Sequence, residues 1–225
     1  MRVAALYDIH GNLPALEAVL ADIPDDAAIV VGGDVAAGPF PSETLERLRA
    51  LGDRVHWIRG NADRELTRSE ESGLAPEDVL DWVRSRLSEE QIAFLHGLPE
   101  TIELVVDGLG PVLFCHATPL NDMDIFTELT PEDRVAPHVE GISLDTIVCG
   151  HTHTQFERDV AGRRVVNAGS VGMAYEHEPG AYWVLLGPGI EHRRTPFHFD
   201  PGDYPGEWPS VSRDEAVAYF TERGL

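Results

Sequence analysis

The feature that most constrains this chain is the alternation in its first sixty residues, where short apolar runs take turns with segments of helical period. Val3 to Tyr7, Ala28 to Val31 and Val55 to Ile58 are short and mostly apolar, which suits strands buried on both faces better than helices. Between them Leu13, Leu16, Val19, Leu20 and Ile23 recur on helical spacing, and Leu45, Leu48 and Leu51 form a second stripe. Pro14 suits the first turn of the earlier helix. Strands alternating with helices require crossover connections, and so a largely parallel sheet of the α/β class.

The rest of the chain adds hairpins to that frame. Helices are expected over 76–86 and, from the capping box of Ser88 and Gln91, to Leu98. Thr101 to Val106 and Pro111 to Phe114 flank "DGLG", Phe156 to Val160 and Arg163 to Val166 flank "AG", and Tyr182 to Leu186 and Ile190 to Thr195 flank "GPG". Each pair reads as a β-hairpin, and Thr146 to Cys149 as a further buried strand. After Thr195 the stretch "PFHFDPGDYPGEWPS" is too rich in Pro and Gly for regular structure, and a last helix capped by Ser212 runs to about Arg223. The expected organisation is a 1–195 domain with a 196–225 extended segment and helix packed on the same domain. At 225 residues a linker is not required.

Charge limits the partners. The formal net charge is −22 and the sequence contains no Lys. Such a surface repels nucleic-acid backbones, whose binding depends on releasing counterions to a basic footprint. Long nucleic acids are therefore not expected as partners, and a small substrate is. No apolar run approaches membrane-spanning length, and the start "MRVAALYD" lacks the basic region of a signal peptide, so no membrane partner and a cytoplasmic location are expected. Cys115 and Cys149 each end an apolar run and read as buried thiols rather than a disulfide framework.

The chemistry sits where strands end, because open α/β sheets bind ligands at the carboxyl ends of their strands. After the first strand comes "YDIHGN" with Asp8 and His10, after the second "GGD" with Asp34, and after the third "GNAD" with Asn61 and Asp63. "CHATP" supplies His116, and "GHTH" supplies His151 and His153. Each motif has a bland reading as a turn, a cap or a core histidine. Together, on one sheet edge, they bring four His, two Asp and one Asn to one place. Seven N/O ligands without thiolate exceed one tetrahedral zinc but suit two five- or six-coordinate ions sharing a carboxylate, with Asp34 the natural bridge. Two ions at about 3.5–4 Å form a clamp for in-line displacement at phosphorus, which makes phosphate-ester hydrolysis the leading chemistry.

In this order the motifs resemble those of the calcineurin-like metallophosphoesterases, and the length and "NAGSVG" at 167–172 resemble the small single-domain YfcE-like phosphodiesterases. The resemblance implies two packed mixed β-sheets flanked by helices, a four-layer α/β/β/α sandwich. It implies Asp8, His10 and His153 on one metal, Asn61, His116 and His151 on the other, Asp34 bridging them, and a metal-bridging hydroxide as nucleophile. Manganese is the expected cofactor, with iron, nickel, cobalt or zinc as alternatives. Asn61 would bind its ion through the amide oxygen and turn its NH₂ to a substrate phosphate oxygen, which makes it catalytic as well as a ligand.

Ala62 departs from the pattern of the related phosphoprotein phosphatases, which carry a His there for phosphate binding and leaving-group protonation. General acid catalysis is worth roughly 10²- to 10⁴-fold. Its loss favours small phosphodiesters whose leaving group departs unprotonated, with a phosphomonoesterase as the near alternative. A non-catalytic scaffold, like the retromer subunit of this fold, is the alternative from another class. Arg64 is a candidate phosphate clamp, set against a surface ion pair with Glu65 or its neighbours. Asp63 is expected to support a histidine ligand from behind. The "NAGSVG" glycines are expected to let backbone pass beneath the metals rather than to bind phosphate. A homo-oligomer is left open.

Overall fold

A computed structural model describes residues 1–67, 76–200, 202, 204–206 and 211–225. Its strands are β1 (Val3–Leu6), β2 (Ala28–Val31), β3 (Val55–Trp57), β4 (Thr101–Val106), β5 (Gly110–Cys115), β6 (Thr146–Cys149), β7 (Gln155–Val160), β8 (Arg163–Ala168), β9 (Ala181–Leu186) and β10 (Ile190–Thr195). Its helices are α1 (Leu13–Asp22), α2 (Pro41–Arg49), α3 (Asn61–Glu65), α4 (Glu77–Arg84), α5 (Glu89–His96), α6 (Glu132–Val139) and α7 (Arg213–Arg223).

The strands form two mixed five-stranded sheets in the orders β10-β9-β1-β2-β3 and β4-β5-β6-β8-β7. Strands joined by helical crossovers pair in parallel, β1 with β2 and β2 with β3, whereas the hairpin β9-β10 joins β1 antiparallel. The second sheet repeats this plan: β5, β6 and β8 are parallel, and the hairpin partners β4 and β7 close its edges.

The two-residue period of β1 decides how the layers stack. Val3, Ala5 and Tyr7 face the other sheet and join a core with Phe114, Val148, Val166 and Val184. Ala4 and Leu6 face the opposite way, onto Leu16 and Val19 of α1 and Leu45 and Leu48 of α2. On the far side, Leu113, Cys115, Ile147 and Cys149 pack with Val135 and Val139 of α6. The result is the expected α/β/β/α sandwich. Tyr7 spans the inner core with its hydroxyl bonded to the Val148 carbonyl at 3.0 Å, so this buried polar atom is satisfied. Both cysteines are buried free thiols.

Local signals explain several boundaries. The Asn12 side chain accepts the Ala15 N–H and starts α1. Capping boxes start α5 at Ser88 and α7 at Ser212. Three features differ from the sequence reading. The strand ends that carry ligands do not share one sheet edge: β1, β2 and β3 belong to one sheet and β5 and β6 to the other. The "GNADRE" turn continues as the short helix α3, with Gly60 as its N-cap. Helix α6 is not among the helices expected from the sequence; it buries Val135 and Val139, four residues apart, and contains Pro137.

Helix α7 is tied down. Arg213 donates to Glu176, Glu128 and the Gln155 carbonyl, Thr221 meets Thr127 at 2.6 Å, and the Leu225 N–H donates to Ile125 O. Positions 201, 203 and 207–210 of the preceding stretch lie outside the described residues. Among the described residues, no helix is long and apolar enough to cross a membrane.

Candidate metal centre

The loops after five strands meet where the open ends of the two sheets face each other. Asp8 and His10 follow β1, Asp34 follows β2, Asn61 opens α3 after β3, His116 follows β5, and His151 and His153 follow β6. All seven are buried, none more than 9% exposed. Five of them hold a left-handed backbone: φ is +52° at Asp8, +48° at His10, +54° at Asp34, +68° at His151 and +58° at His153. The only other non-glycine residue described with positive φ is Ala161, in the turn between β7 and β8. Such conformations cost on the order of 1–3 kcal/mol each and persist only where neighbouring structure enforces them.

The enforcing contacts are visible. Asp8 N–H donates to Gly33 O and His10 N–H to Asp34 O, which locks the first loop to the second. The Asp8 carboxylate accepts the His151 N–H at 2.8 Å, and the Asp34 carboxylate accepts the Ala62 N–H at 2.8 Å. Asp63 accepts the backbone N–H groups of Asp34, Val35 and Gly60 at 2.8–3.0 Å. It therefore positions the Asp34 loop by its backbone, and does not support an imidazole as the sequence reading expects.

Three histidines have their tautomers set in the same way. Nδ1 of His10, His116 and His153 lies 3.1, 2.8 and 2.8 Å from the carbonyls of Ala37, Gly32 and Met173. A carbonyl only accepts, so Nδ1 carries the proton and Nε2 presents a lone pair. Those lone pairs converge. His10 Nε2 and His153 Nε2 are 3.2 Å apart, and His116 Nε2 lies 3.0 Å from Asn61 Oδ1. Asp34 Oδ2 sits 3.7 Å from His10 Nε2 and 3.6 Å from His116 Nε2, between the two halves of the cluster. Asp8 Oδ1 is 3.4 Å from His153 Nε2 and 3.8 Å from His116 Nε2. The ligand atoms of Asp8, His10 and His153, and of Asp8, Asp34 and His116, form two mutually close sets. His151 stands edge-on to His116, with ring centroids 5.1 Å apart.

Charge in the cluster follows from burial and proximity. Burial works to raise the pKa of Asp8, but the imidazoles of His153, His116 and His10 hold it well below the usual carboxylate range. Burial, then the neighbouring His116, pushes His151 down to about 4, so its imidazole is neutral at physiological pH. Burial acts to lower His116, yet Asp34 and Asp8 outweigh it and raise its pKa above the ordinary value. Burial and the Asp34 carboxylate push Asp63 up to about 7, against the pull of its backbone donors.

Packing in the third loop bears on two expectations. Arg64 does not reach for substrate: its guanidinium grips Asp122 through two bonds of 2.8 and 3.0 Å, and Asp122 lies 58 positions away, beyond any local pattern. Asn61 Nδ2 donates one N–H to Glu65 Oε1 at 3.3 Å, which leaves its second N–H for a phosphate oxygen. That contact turns the amide oxygen toward His116. Glu65 is buried, lines the same cavity as the ligands and escapes the sequence reading. Its signal is the four-residue spacing from Asn61, which matters only once α3 is known to be helical. In "NAGSVG" the glycines serve close packing, since a Cβ on Gly172 would fall 1.8 Å from Ile9 O.

The donor set fits divalent cations. It combines imidazole nitrogens, two carboxylates and an amide oxygen without thiolate. Two of its buried atoms, Asp8 Oδ1 and His151 Nε2, have no hydrogen-bond partner among the described residues. A buried acceptor left unmatched is costly unless a cation completes it.

Fold and cluster together define a metallophosphoesterase. The chain belongs to the calcineurin-like phosphoesterase superfamily, whose domain matches residues 1–186. It is 29% identical to the uncharacterized protein MJ0912 of Methanocaldococcus jannaschii over 96% of this chain and 90% of that protein. It is 30% identical to the phosphodiesterase YfcE of Escherichia coli over 43% of this chain and 57% of that one. A crystal structure of a metallophosphoesterase from Sphaerobacter thermophilus shares the fold, with a TM-score of 0.69 and 24% identity over 88% of this chain and 90% of that chain.

Proposed function

We propose that this protein is a dinuclear metal-dependent phosphodiesterase acting on small phosphodiesters. The observation that carries the reading is the convergence of buried lone pairs on two sides of Asp34 Oδ2, with Asp8 Oδ1 and His151 Nε2 unmatched beside them. The kinship with a phosphodiesterase supports it.

Asp8, His10 and His153 would hold one ion, Asn61, His116 and His151 the other, and Asp34 both. When bound, the ions supply Lewis acidity that activates water and neutralises charge on a phosphate. The remaining work belongs to the chain. The Nδ1–H bonds of His10, His116 and His153 aim three Nε2 atoms inward before a ligand arrives, and such preorganisation avoids reorientation during reaction. Glu65 fixes the Asn61 amide with its oxygen inward. Ala62 contributes its N–H to Asp34 and has no side-chain group to give a leaving oxygen a proton. This favours diesters with good leaving groups.

The test is metal analysis of the purified protein, then hydrolysis of an aryl phosphodiester and an aryl phosphomonoester with added Mn²⁺. The expected result is about two ions per chain and faster diester turnover. Faster monoester turnover overturns the preference for diesters. Two bound ions with no turnover of either ester would make the protein a scaffold.

A further inference from the structure

The cavity above the ligand cluster encloses about 660 Å³, within the roughly 300–1,000 Å³ that holds drug-sized ligands and far more than a phosphate group fills. His10, Asp34, Asn61, His151 and His153 line its floor, and two of its walls come from helices that hold none of the proposed ligands. Val79, Leu80 and Val83 of α4 stand on one side, and Tyr219 and Phe220 of α7 on the other. Tyr175 joins floor to wall: its ring stacks on His153 at 4.9 Å and lies 6.1 Å from Phe220, which lies 5.5 Å from Tyr219. An aromatic track thus runs from a metal ligand to the cavity rim.

Two further observations define what this space accepts. None of the described lining residues is Arg, and the chain has no Lys, whereas Glu65 and Asp78 add carboxylates. Among the described residues, a second anionic group on a substrate would find no side-chain cation lining the cavity. The α7 wall is also fixed, because Arg213 anchors the helix to Glu176, Glu128 and Gln155. Helix α7 lies beyond the family-matched residues 1–186.

We propose that the cavity selects phosphodiesters in which one substituent is uncharged and apolar, of about phenyl to hexyl size, and lies between α4 and α7. The proposal rests on the phosphodiesterase reading above and names its substrate class.

The test measures binding of methyl alkyl phosphates, from methyl to hexyl, to the Mn²⁺-loaded full chain by calorimetry. Burying methylenes strengthens binding by about fourfold each, so a gain on the order of a thousandfold is expected from the methyl to the hexyl ester. In both Phe220→Ala and Val79→Asn the hexyl-to-methyl ratio should fall at least about fivefold; metal content and circular dichroism report whether each variant is folded. The 3,3-dimethylbutyl ester should bind better than the choline ester of the same shape. A flat alkyl series, or tighter binding of the choline ester, overturns the proposal. Turnover of aryl diesters with a flat series leaves the phosphodiesterase reading standing and removes only the substrate class. A steep series with no turnover of any diester does the reverse.

Discussion

Replacing Gly60 by alanine should disable the metal centre while leaving the fold nearly intact. Gly60 has φ −97° and ψ 175°, an extended conformation open to any residue, so the whole effect comes from the added methyl group. Built on this backbone, the Cβ lies 2.2 Å from Asp34 Oδ1, 2.5 Å from Asp34 N and 2.9 Å from Asp34 Cγ. Ordinary contact begins near 3.4 Å, so about 1.2 Å of separation has to be found. The Gly60 side cannot easily yield, because its N–H is bound to Asp63. The displacement falls on the Asp34 carboxylate. Misplacing a reacting geometry by about 1 Å costs on the order of 10²-fold in rate, whereas overpacking costs only about 1–3 kcal/mol of stability. The expected outcome is metal content below two per chain, kcat/KM for an aryl diester down about a hundredfold, and a Tm lower by roughly 2–10 °C. Gly189→Ala, with no atom within 4 Å of its Cβ, is the control. Two ions per chain and turnover within about threefold of the parent would refute the bridging role of Asp34.

Four other perturbations probe separate parts of the account. Asp34→Asn should lose one or both ions and nearly all hydrolysis, read by metal analysis and diester assay; intact binding and turnover would remove the bridge. Arg64→Ala strands the mostly buried Asp122 carboxylate, and a double-mutant cycle with Asp122→Ala should return a coupling of about 1–3 kcal/mol in urea unfolding; zero coupling with a raised KM would restore Arg64 as a phosphate clamp. Because Asp34 and Asp8 raise His116, and burial with Asp34 pushes Asp63 up to about 7, protons held by the metal-free cluster near neutrality must leave as cations enter. Metal affinity should therefore weaken as pH falls below about 7, with proton release near pH 6.5 detected by calorimetry in buffers of different ionisation enthalpy. Arg213→Met should release α7 and raise its proteolytic susceptibility several-fold, with metal content unchanged.

Sequence reasoning recovers what is written locally. The range of β2, 28–31, and that of β6, 146–149, follow from uninterrupted apolar runs, and the starts of α5 and α7 from Ser followed by Gln or Glu three residues later. The seven candidate ligand positions are legible for the same reason, since each follows a strand end. Relations across the chain are not written locally. Nothing near Arg64 announces Asp122, and the division of the ligand-bearing strands between two sheets depends on which edges pair. Asp63 has a role set by where backbone N–H groups of another loop happen to point. The aromatic wall is equally invisible, since Tyr175, Tyr219 and Phe220 meet only after α7 folds back.

The left-handed residues at the centre set selection for stability against selection for chemistry. Glycine adopts those angles most readily, so a screen of the metal-free protein for thermal tolerance would favour it first at His151, whose Nε2 is unmatched, whereas at Asp8, His10, Asp34 and His153 the relief of backbone is set against lost side-chain bonds; each exchange would erase a proposed ligand. Engineers who want a hardier form of this protein should therefore screen with metal present, or hold those five positions fixed and look for gains in the hairpins and outer helices.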